Sequence, residues 1–167
     1  MNEKNQMLPI GANFPSFSLL CVMISPDGMR VEERSNEDFL GKPLILFFYP
    51  KDATCGCAVE VCGFRDAFQE FANLGVQVVG VSRDTPGAHK KFIENQNLPF
   101  PLLCDRERVL AAQLHLLVQK TMYGKPVTGS LRNTFALDEN GVVRNVWERV
   151  APETHATQVL VWCRDNA

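Results

Sequence analysis

The sequence predicts an α/β protein in which helices pack on both faces of a mixed central β-sheet. The continuous apolar run at residues 44–49 is typical of a strand buried on both faces, and the valine-rich segment 76–81 predicts a second buried strand. A stretch of helical periodicity joins them, and strands joined through a helix pair in parallel. Each end of the chain also carries two strand patterns around a turn signal, which predicts antiparallel hairpins.

The N-terminal hairpin is predicted by the turn between its strands. Residues 25–28 are Ser-Pro-Asp-Gly, a strong turn signal, and they separate strand patterns at 17–22 and 29–33. The buried strand at 44–49 follows, and a loop at 50–56 leads away from it.

Two helices are predicted by their ends as well as by their periodicity. The first covers residues 57–74, and Gly75 directly after it is a natural helix stop. The second runs to about Asn97. It opens at Thr85, whose hydroxyl can cap the helix, and at Pro86, which suits the first turn.

The remaining elements complete the sheet. Residues 138–141, Asp-Glu-Asn-Gly, form the turn of the second hairpin. This order is compatible with a thioredoxin-like fold, and we expect one domain over residues 1–167. The other elements are an extended segment at 99–103, a short helix at 108–114, strands at 131–137 and 142–149, and a closing helix at 154–162.

The charge and hydropathy of the chain argue against several kinds of partner. It has 17 basic and 19 acidic side chains, a net charge of -2, whereas nucleic acids and anionic membranes are usually bound by a basic surplus. The longest apolar run is too short to span a bilayer, and the N-terminus has no signal-peptide character. We therefore expect a cytoplasmic protein that binds neither nucleic acid nor membrane.

The six cysteines fall into two groups. Three occur singly, and lone cysteines usually act as small buried hydrophobic residues. Three others fall within eight residues, at the junction of the loop and the first helix. The single cysteines are Cys21, Cys104 and Cys163, and the clustered ones are Cys55, Cys57 and Cys62.

Cys57 lies where the first helix begins. Free backbone N–H groups and the positive end of the helix dipole occur at this point, and both favour a thiolate, the nucleophilic form of cysteine. The hydroxyl of Thr54 can either cap the helix or point into the same pocket. Gly56 lets the backbone come close to a small ligand.

Helical geometry separates Cys57 from Cys62. Cys57 continues an apolar stripe toward the core, whereas Cys62 starts a mainly polar flank. Five residues of helix turn the two side chains about 140° apart and place their Cα atoms about 8.6 Å apart. A disulfide needs less than about 7 Å, so the pair can bridge only if the first turns unwind. The stripe is Cys57, Val61, Phe64, Phe68 and Phe71, and the flank is Cys62, Asp66, Gln69 and Asn73.

The spacing of residues around Cys57 matches a known pattern. Three residues separate Pro50 from Thr54, two separate Thr54 from Cys57, and Cys62 follows five positions later. The segment resembles the active site of the peroxiredoxins, and with Cys62 it is similar to their PrxQ, or bacterioferritin comigratory protein, branch. The resemblance covers about residues 11–160 and includes segments 48–52, 64–66, 80–82, 89–92, 98–103, 122–125 and 132–135.

The resemblance implies a thiol-dependent peroxidase that reduces hydrogen peroxide and organic hydroperoxides. In such an enzyme, Cys57 becomes a sulfenic acid, and Cys62 resolves it as an intrachain disulfide. Thr54 holds the peroxide, Arg132 stabilises the thiolate and the transition state, and Pro50 shields the nucleophile. The resemblance also implies a thioredoxin-type reductant, no metal or organic cofactor, and a monomer.

The segment departs from the branch at two positions. Cys55 replaces a proline, which loosens the loop and adds a third thiol that competes with Cys62 only through a strained ring. Ala58 replaces a common threonine. Glu60 matches the branch, either as the partner of a basic group or as a solvated helix residue. His89, His115 and His155 lie near no nucleophile in the sequence, and we assign them to surface or packing.

Three other functions stay open at this point. A zinc site at the clustered cysteines would lack the paired C-x2-C spacing and a nearby fourth ligand. A thioredoxin-like disulfide exchanger would need C-x-x-C at the helix start. A redox sensor or binding protein could use the same cysteine switch with little turnover.

Overall fold

The computed structural model describes residues 8–52 and 54–166, without the side chain of Cys55. Most of its strands form one seven-stranded mixed sheet, and two form a separate hairpin. The strands are β1 (Ser18–Ser25), β2 (Gly28–Ser35), β3 (Leu44–Phe48), β4 (Gln77–Ser82), β5 (Leu102–Cys104), β6 (Leu117–Met122), β7 (Lys125–Ser130), β8 (Thr134–Leu137) and β9 (Val143–Trp147).

The large sheet has the order β2-β1-β5-β4-β3-β8-β9. Its centre is parallel, because β3 pairs with β4 and β4 with β5 in the same direction. Both sides are antiparallel: β8 and β9 extend from β3, and the N-terminal hairpin joins through β1 and β5. The mixed, thioredoxin-like sheet predicted from the sequence is confirmed.

The helices are distributed unevenly over the two faces of this sheet. The three long helices cover one face, while the short third helix and a 3-10 helix at Asn36–Phe39 lie over the other. Among the helices in the described ranges, none is both long and apolar enough to cross a membrane. They are α1 (Cys55–Asn73), α2 (Pro86–Gln96), α3 (Val109–Gln113) and α4 (His155–Asn166).

The central strand β3 is buried on both faces, as its continuous apolar sequence predicts. Phe47 stacks on Phe64 of α1 at 4.3 Å between ring centroids, and this contact seats the helix on the sheet. The side chains facing the long helices are Ile45, Phe47 and Tyr49, and those on the opposite face are Leu44, Leu46 and Phe48.

The hairpin of β6 and β7 is the main element that the sequence analysis missed. Its strands are largely exposed, so they lack the apolar alternation that predicts a half-buried strand. The available signal was Tyr123-Gly124, where both residues have the positive φ of a tight hairpin turn.

The predicted strand at 131–137 was too long. Only Thr134–Leu137 joins the sheet. Leu131 N donates to the carbonyl of Leu116, and the carbonyl of Arg132 accepts from Val150 N. Residues 131 and 132 therefore bond to neighbouring loops and not to the sheet.

Truncating the α1–β3 stack should destabilise the fold. Because Phe64 is fully buried, we expect Phe64→Ala to lower the free energy of unfolding by about 3–5 kcal/mol. Val59→Ala, on an exposed face of the same helix, should change it by less than about 0.5 kcal/mol. Urea denaturation of both variants would measure the difference, and equal effects would contradict this account of the core.

Candidate active site

Cys57 is fully buried in the first turn of α1 and packs into the core below the helix. The predicted orientation of its stripe is confirmed, since Val61 and Phe64 are fully buried on the same side. Free N–H groups of the first turn surround the Cys57 backbone, because the Thr54 side chain caps none of them.

Thr54 is the residue that precedes α1, and its carbonyl accepts the first helical hydrogen bond from Ala58 N at 2.8 Å. Its hydroxyl, however, donates backward to the carbonyl of Lys51 at 3.1 Å. The alternative of a side-chain cap is therefore wrong, because the Lys51 carbonyl in the preceding loop takes the hydroxyl.

Cys62 lies on a different face of α1, half-buried beside the end of α2. Its thiol donates to Gln96 Oε1 at 3.2 Å, and both Cys57 and Cys62 are free thiols. The two sulfurs therefore lie on different faces of the helix. Cys55 is the first residue of α1, and its side chain lies outside the described part of the structure.

Arg132 reaches the first turn of α1 from the loop before β8. Its Nη1 donates to Glu60 Oε1 at 3.1 Å, and its Nη2 lies against Gly56, the neighbour of Cys57 in the same turn. Glu60 is fully buried, so it is the partner of a basic group and not a solvated residue. The signal for this was its position, three residues after Cys57 and next to the apolar stripe.

Gly56 leaves the space that the guanidinium occupies. A Cβ atom at this position would lie 2.9 Å from Arg132 Nη2, closer than van der Waals contact allows. From the sequence, this glycine is expected to let the backbone approach a small ligand. The structure shows that it first permits the approach of the arginine.

Backbone hydrogen bonds fix the segment that carries Arg132. The carbonyl of Arg132 accepts from Val150 N at 3.0 Å, and that of Asn133 accepts from Phe48 N at 2.8 Å. Asn133 Oδ1 also accepts from Arg149 N at 2.9 Å. The arginine is therefore held between the end of β3 and the loop after β9.

Burial and charge oppose each other at the Arg132–Glu60 pair. Burial raises the pKa of Glu60 to about 7, although the hydrogen bond and charge of Arg132 act in the other direction. Burial also lowers the pKa of Arg132, but Cys57 and Glu60 outweigh it and raise that pKa above its usual value. Among the described residues, Glu60 Oε2 has no hydrogen-bond partner.

A buried carboxylate anchors the loop between β3 and α1. Pro50 is half-buried at the start of this loop, and Asp52 follows it. Asp52 accepts from the Tyr49 hydroxyl at 2.6 Å and pairs with His89 Nδ1 at 2.7 Å. Its backbone N–H donates to Asp84 at 2.8 Å. No motif in the sequence predicts this network, and His89 is expected from the sequence only as a packing or surface residue.

His89 connects the network to the sheet. Its Nε2 lies 3.0 Å from the carbonyl of Leu103 in β5. Burial lowers the pKa of His89, but the hydrogen bond and charge of Asp52, together with the nearby Cys104 thiol, outweigh it and raise the pKa to about 10. In the part of the chain described, Asp52, Asp84 and His89 form the group whose ligand atoms are close enough for a metal, within 4.8 Å. The ligand atoms of this group are already hydrogen-bonded within the network and to the hydroxyls of Tyr49 and Ser82.

The three single cysteines are all buried, and Cys104 lies close enough to His89 to affect its pKa. The prediction that Cys21, Cys104 and Cys163 are buried hydrophobic residues is confirmed. His155 is buried and lies 2.6 Å from the Thr134 hydroxyl through Nε2, whereas His115 is exposed.

Comparison with known proteins gives a consistent result. Residues 10–146 match the AhpC/TSA family. The chain is 43% identical over 129 residues to a putative peroxiredoxin Bcp of Coxiella burnetii, covering 77% of this chain and 85% of that one. It is 41% identical to peroxiredoxin Bcp of Bacillus subtilis over 128 residues, or 77% and 82% of the two chains.

A solved structure is also similar. It is that of the Xanthomonas campestris bacterioferritin comigratory protein, described with a trapped intermediate and ligand complex and with alkyl peroxide reduction activity. The TM-score is 0.79 at 32% identity, and the match covers 90% of this chain and 91% of that one.

The Asp52–His89 pair should make the stability of the protein depend on pH. Because the folded state raises the pKa of His89 from 6.5 to about 10, its contribution is complete below about pH 6.5 and is lost as the pH rises toward 10. We expect the free energy of unfolding to fall more steeply over this range in the wild type than in His89→Gln. Urea unfolding at several pH values would measure this, with exposed His115→Gln as the control. Parallel curves for the wild type and His89→Gln would contradict it.

Proposed function

The chain belongs to the AhpC/TSA family and is a peroxiredoxin, and from this premise we propose that it reduces hydroperoxides through a two-cysteine cycle within one chain. The observation that carries the proposal is a thiol buried in the first turn of a helix, with an arginine guanidinium held against that same turn by Glu60. Reduction of alkyl peroxides by the similar Xanthomonas protein supports organic hydroperoxides as substrates beside hydrogen peroxide.

In the first step, the Cys57 thiolate attacks one oxygen of the peroxide. An S–O bond forms as the O–O bond breaks, so sulfur is oxidised to a sulfenic acid while the leaving oxygen becomes an alcohol or water after taking up a proton. Arg132 stabilises the thiolate and the negative charge that develops on the peroxide oxygens. The free N–H groups of the first turn of α1 act in the same direction.

Three other residues around Cys57 have separate roles in the proposed first step. Glu60 is a positioning residue, because its ion pair fixes the guanidinium over the first turn. Pro50 shields the sulfur from water. Thr54 binds the peroxide through its hydroxyl, which is exposed in the structure and would rotate away from the Lys51 carbonyl.

In the second step, Cys62 condenses with the sulfenic acid. A disulfide forms and water leaves, and a dithiol donor of the thioredoxin type then reduces the disulfide by exchange. Because the two sulfurs lie on different faces of α1, the start of the helix unwinds before the bond forms. A bridge within one chain needs no second subunit, so we propose that the monomer is active.

The first test removes each sulfur in turn. We expect Cys57→Ser to abolish peroxide consumption, because no nucleophile remains. Cys62→Ser should consume about one equivalent of peroxide and then stall or become over-oxidised, because the sulfenic acid is not resolved. Peroxide consumption with a thioredoxin system, together with peptide mapping of the disulfide, would measure both.

Cys21→Ser, at a buried position away from the site, is the matched control and should turn over like the wild type. If Cys62→Ser cycles normally, Cys62 is not the resolving residue, and Cys55 or Cys104 takes its place. If the wild type consumes only a few equivalents of peroxide, a redox sensor is the better assignment.

The second test moves the guanidinium without removing it. The Cβ of Gly56→Ala would overlap Arg132 Nη2, and the flexible end of that side chain would shift away. Since outright loss of such a charged donor costs about a hundredfold or more, we expect the rate of Cys57 oxidation to fall about tenfold or more. Gly87→Ala, in the first turn of α2 with no close neighbour, is the control. Equal rates in both variants would show that the position of Arg132 does not matter.

A further inference from the structure

The side chain of Gln96 makes a direct contact with the thiol of Cys62. The sulfur lies 3.2 Å from Gln96 Oε1, within the distance of a hydrogen bond that a thiol donates. Both residues are half-buried where α1 meets the end of α2. The contact therefore occurs only while Cys62 is in its helical position.

Gln96 is attached to a rigid part of the fold. It is the last residue of α2, and the N–H groups of the next two residues, Asn97 and Leu98, both donate to the carbonyl of Ile93. Ile93 and Leu98 are buried in the core. The acceptor of the Cys62 thiol consequently does not move with α1.

A second bond joins the same two helices one turn further along α1. Arg65 Nη1 donates to the backbone carbonyl of Gln96 at 2.8 Å. Cys62 and Arg65 are three residues apart, so they lie on one face of α1. Cys62 binds the side chain of Gln96, and Arg65 binds its backbone carbonyl. Unwinding that starts at the N-terminus of α1 breaks the Cys62 bond and can leave the Arg65 bond intact.

We propose that Gln96 is a positioning residue that holds Cys62 in the helix and so sets the rate at which the Cys57 sulfenic acid is resolved. This inference rests on the proposed resolving role of Cys62. While the Cys62–Gln96 bond is intact, Cys62 cannot reach Cys57, and the sulfenic acid stays exposed to a second peroxide. The Arg65–Gln96 bond marks the position at which the unwinding stops.

The test replaces the acceptor and keeps the size of the side chain. Gln96→Met has a similar length but no oxygen, and Gln96→Glu retains one. Because a hydrogen bond contributes about 0.5–1.5 kcal/mol, we expect disulfide formation to be about two- to tenfold faster in Gln96→Met. Gln96→Glu should be as slow as the wild type or slower. Gln69→Met, the same change on an exposed face of α1, is the control and should resolve at the wild-type rate.

Single-turnover stopped-flow measurements would separate the two steps. The rate of sulfenic acid formation should be equal in all variants, and over-oxidation at a fixed peroxide concentration should fall in Gln96→Met by the factor gained in resolution. In Gln96→Met, amide hydrogen exchange should be faster than in the wild type at residues 56–62 and unchanged at residues 66–73. An unchanged resolution rate in Gln96→Met, with the Cys57–Cys62 disulfide still formed, would overturn the inference alone.

Alkylation provides a readout that does not depend on peroxide. In a Cys57→Ser background, iodoacetamide should modify Cys62 about two- to tenfold faster when Gln96 is Met. Equal alkylation rates would overturn the role of Gln96. By contrast, peptide mapping of the wild type that finds no disulfide between Cys57 and Cys62 would refute the proposed function itself.

Discussion

The contact between the Arg132 guanidinium and the first turn of α1 is the interaction on which the site depends. It brings a fixed positive charge to a buried sulfur, and a fully buried Glu60 holds that charge in place. Taking a carboxylate out of water is costly, and the ion pair compensates for only part of that cost. The absence of a side chain at Gly56 lets the arginine approach α1. There it meets Glu60 and the turn that carries Cys57, both on the same helix.

The scaffold holds the two sides of this contact separately. The stacking of Phe64 on Phe47 seats α1 on the central strand, and backbone bonds to β3 and to the loop after β9 fix the arginine segment. Asp52 ties the intervening loop to α2 and, through His89, to β5. The loop before Cys57 is therefore anchored at one buried carboxylate.

This combination suits a two-cysteine cycle. Attack on peroxide requires a folded first turn, because both the dipole and the arginine act on Cys57 only there. Resolution by Cys62, the second step proposed above, requires the opposite, since Cys57 and Cys62 occupy different faces of the intact helix. The bonds from Cys62 and Arg65 to Gln96 lie where the part of α1 that opens in the proposed cycle meets the part that stays packed.

The sequence by itself determined the mixed sheet, the order of its elements, the position of Cys57 at a helix start and the opposite facing of Cys62, because periodicity and turn chemistry act over a few residues. It did not reveal the exposed β6–β7 hairpin, whose strands bury no face. Only the tertiary structure decided that Glu60 is buried against Arg132, 72 positions away, and that Asp52 pairs with His89, 37 positions away. Such pairs depend on how packed elements meet, and no local pattern encodes that distance.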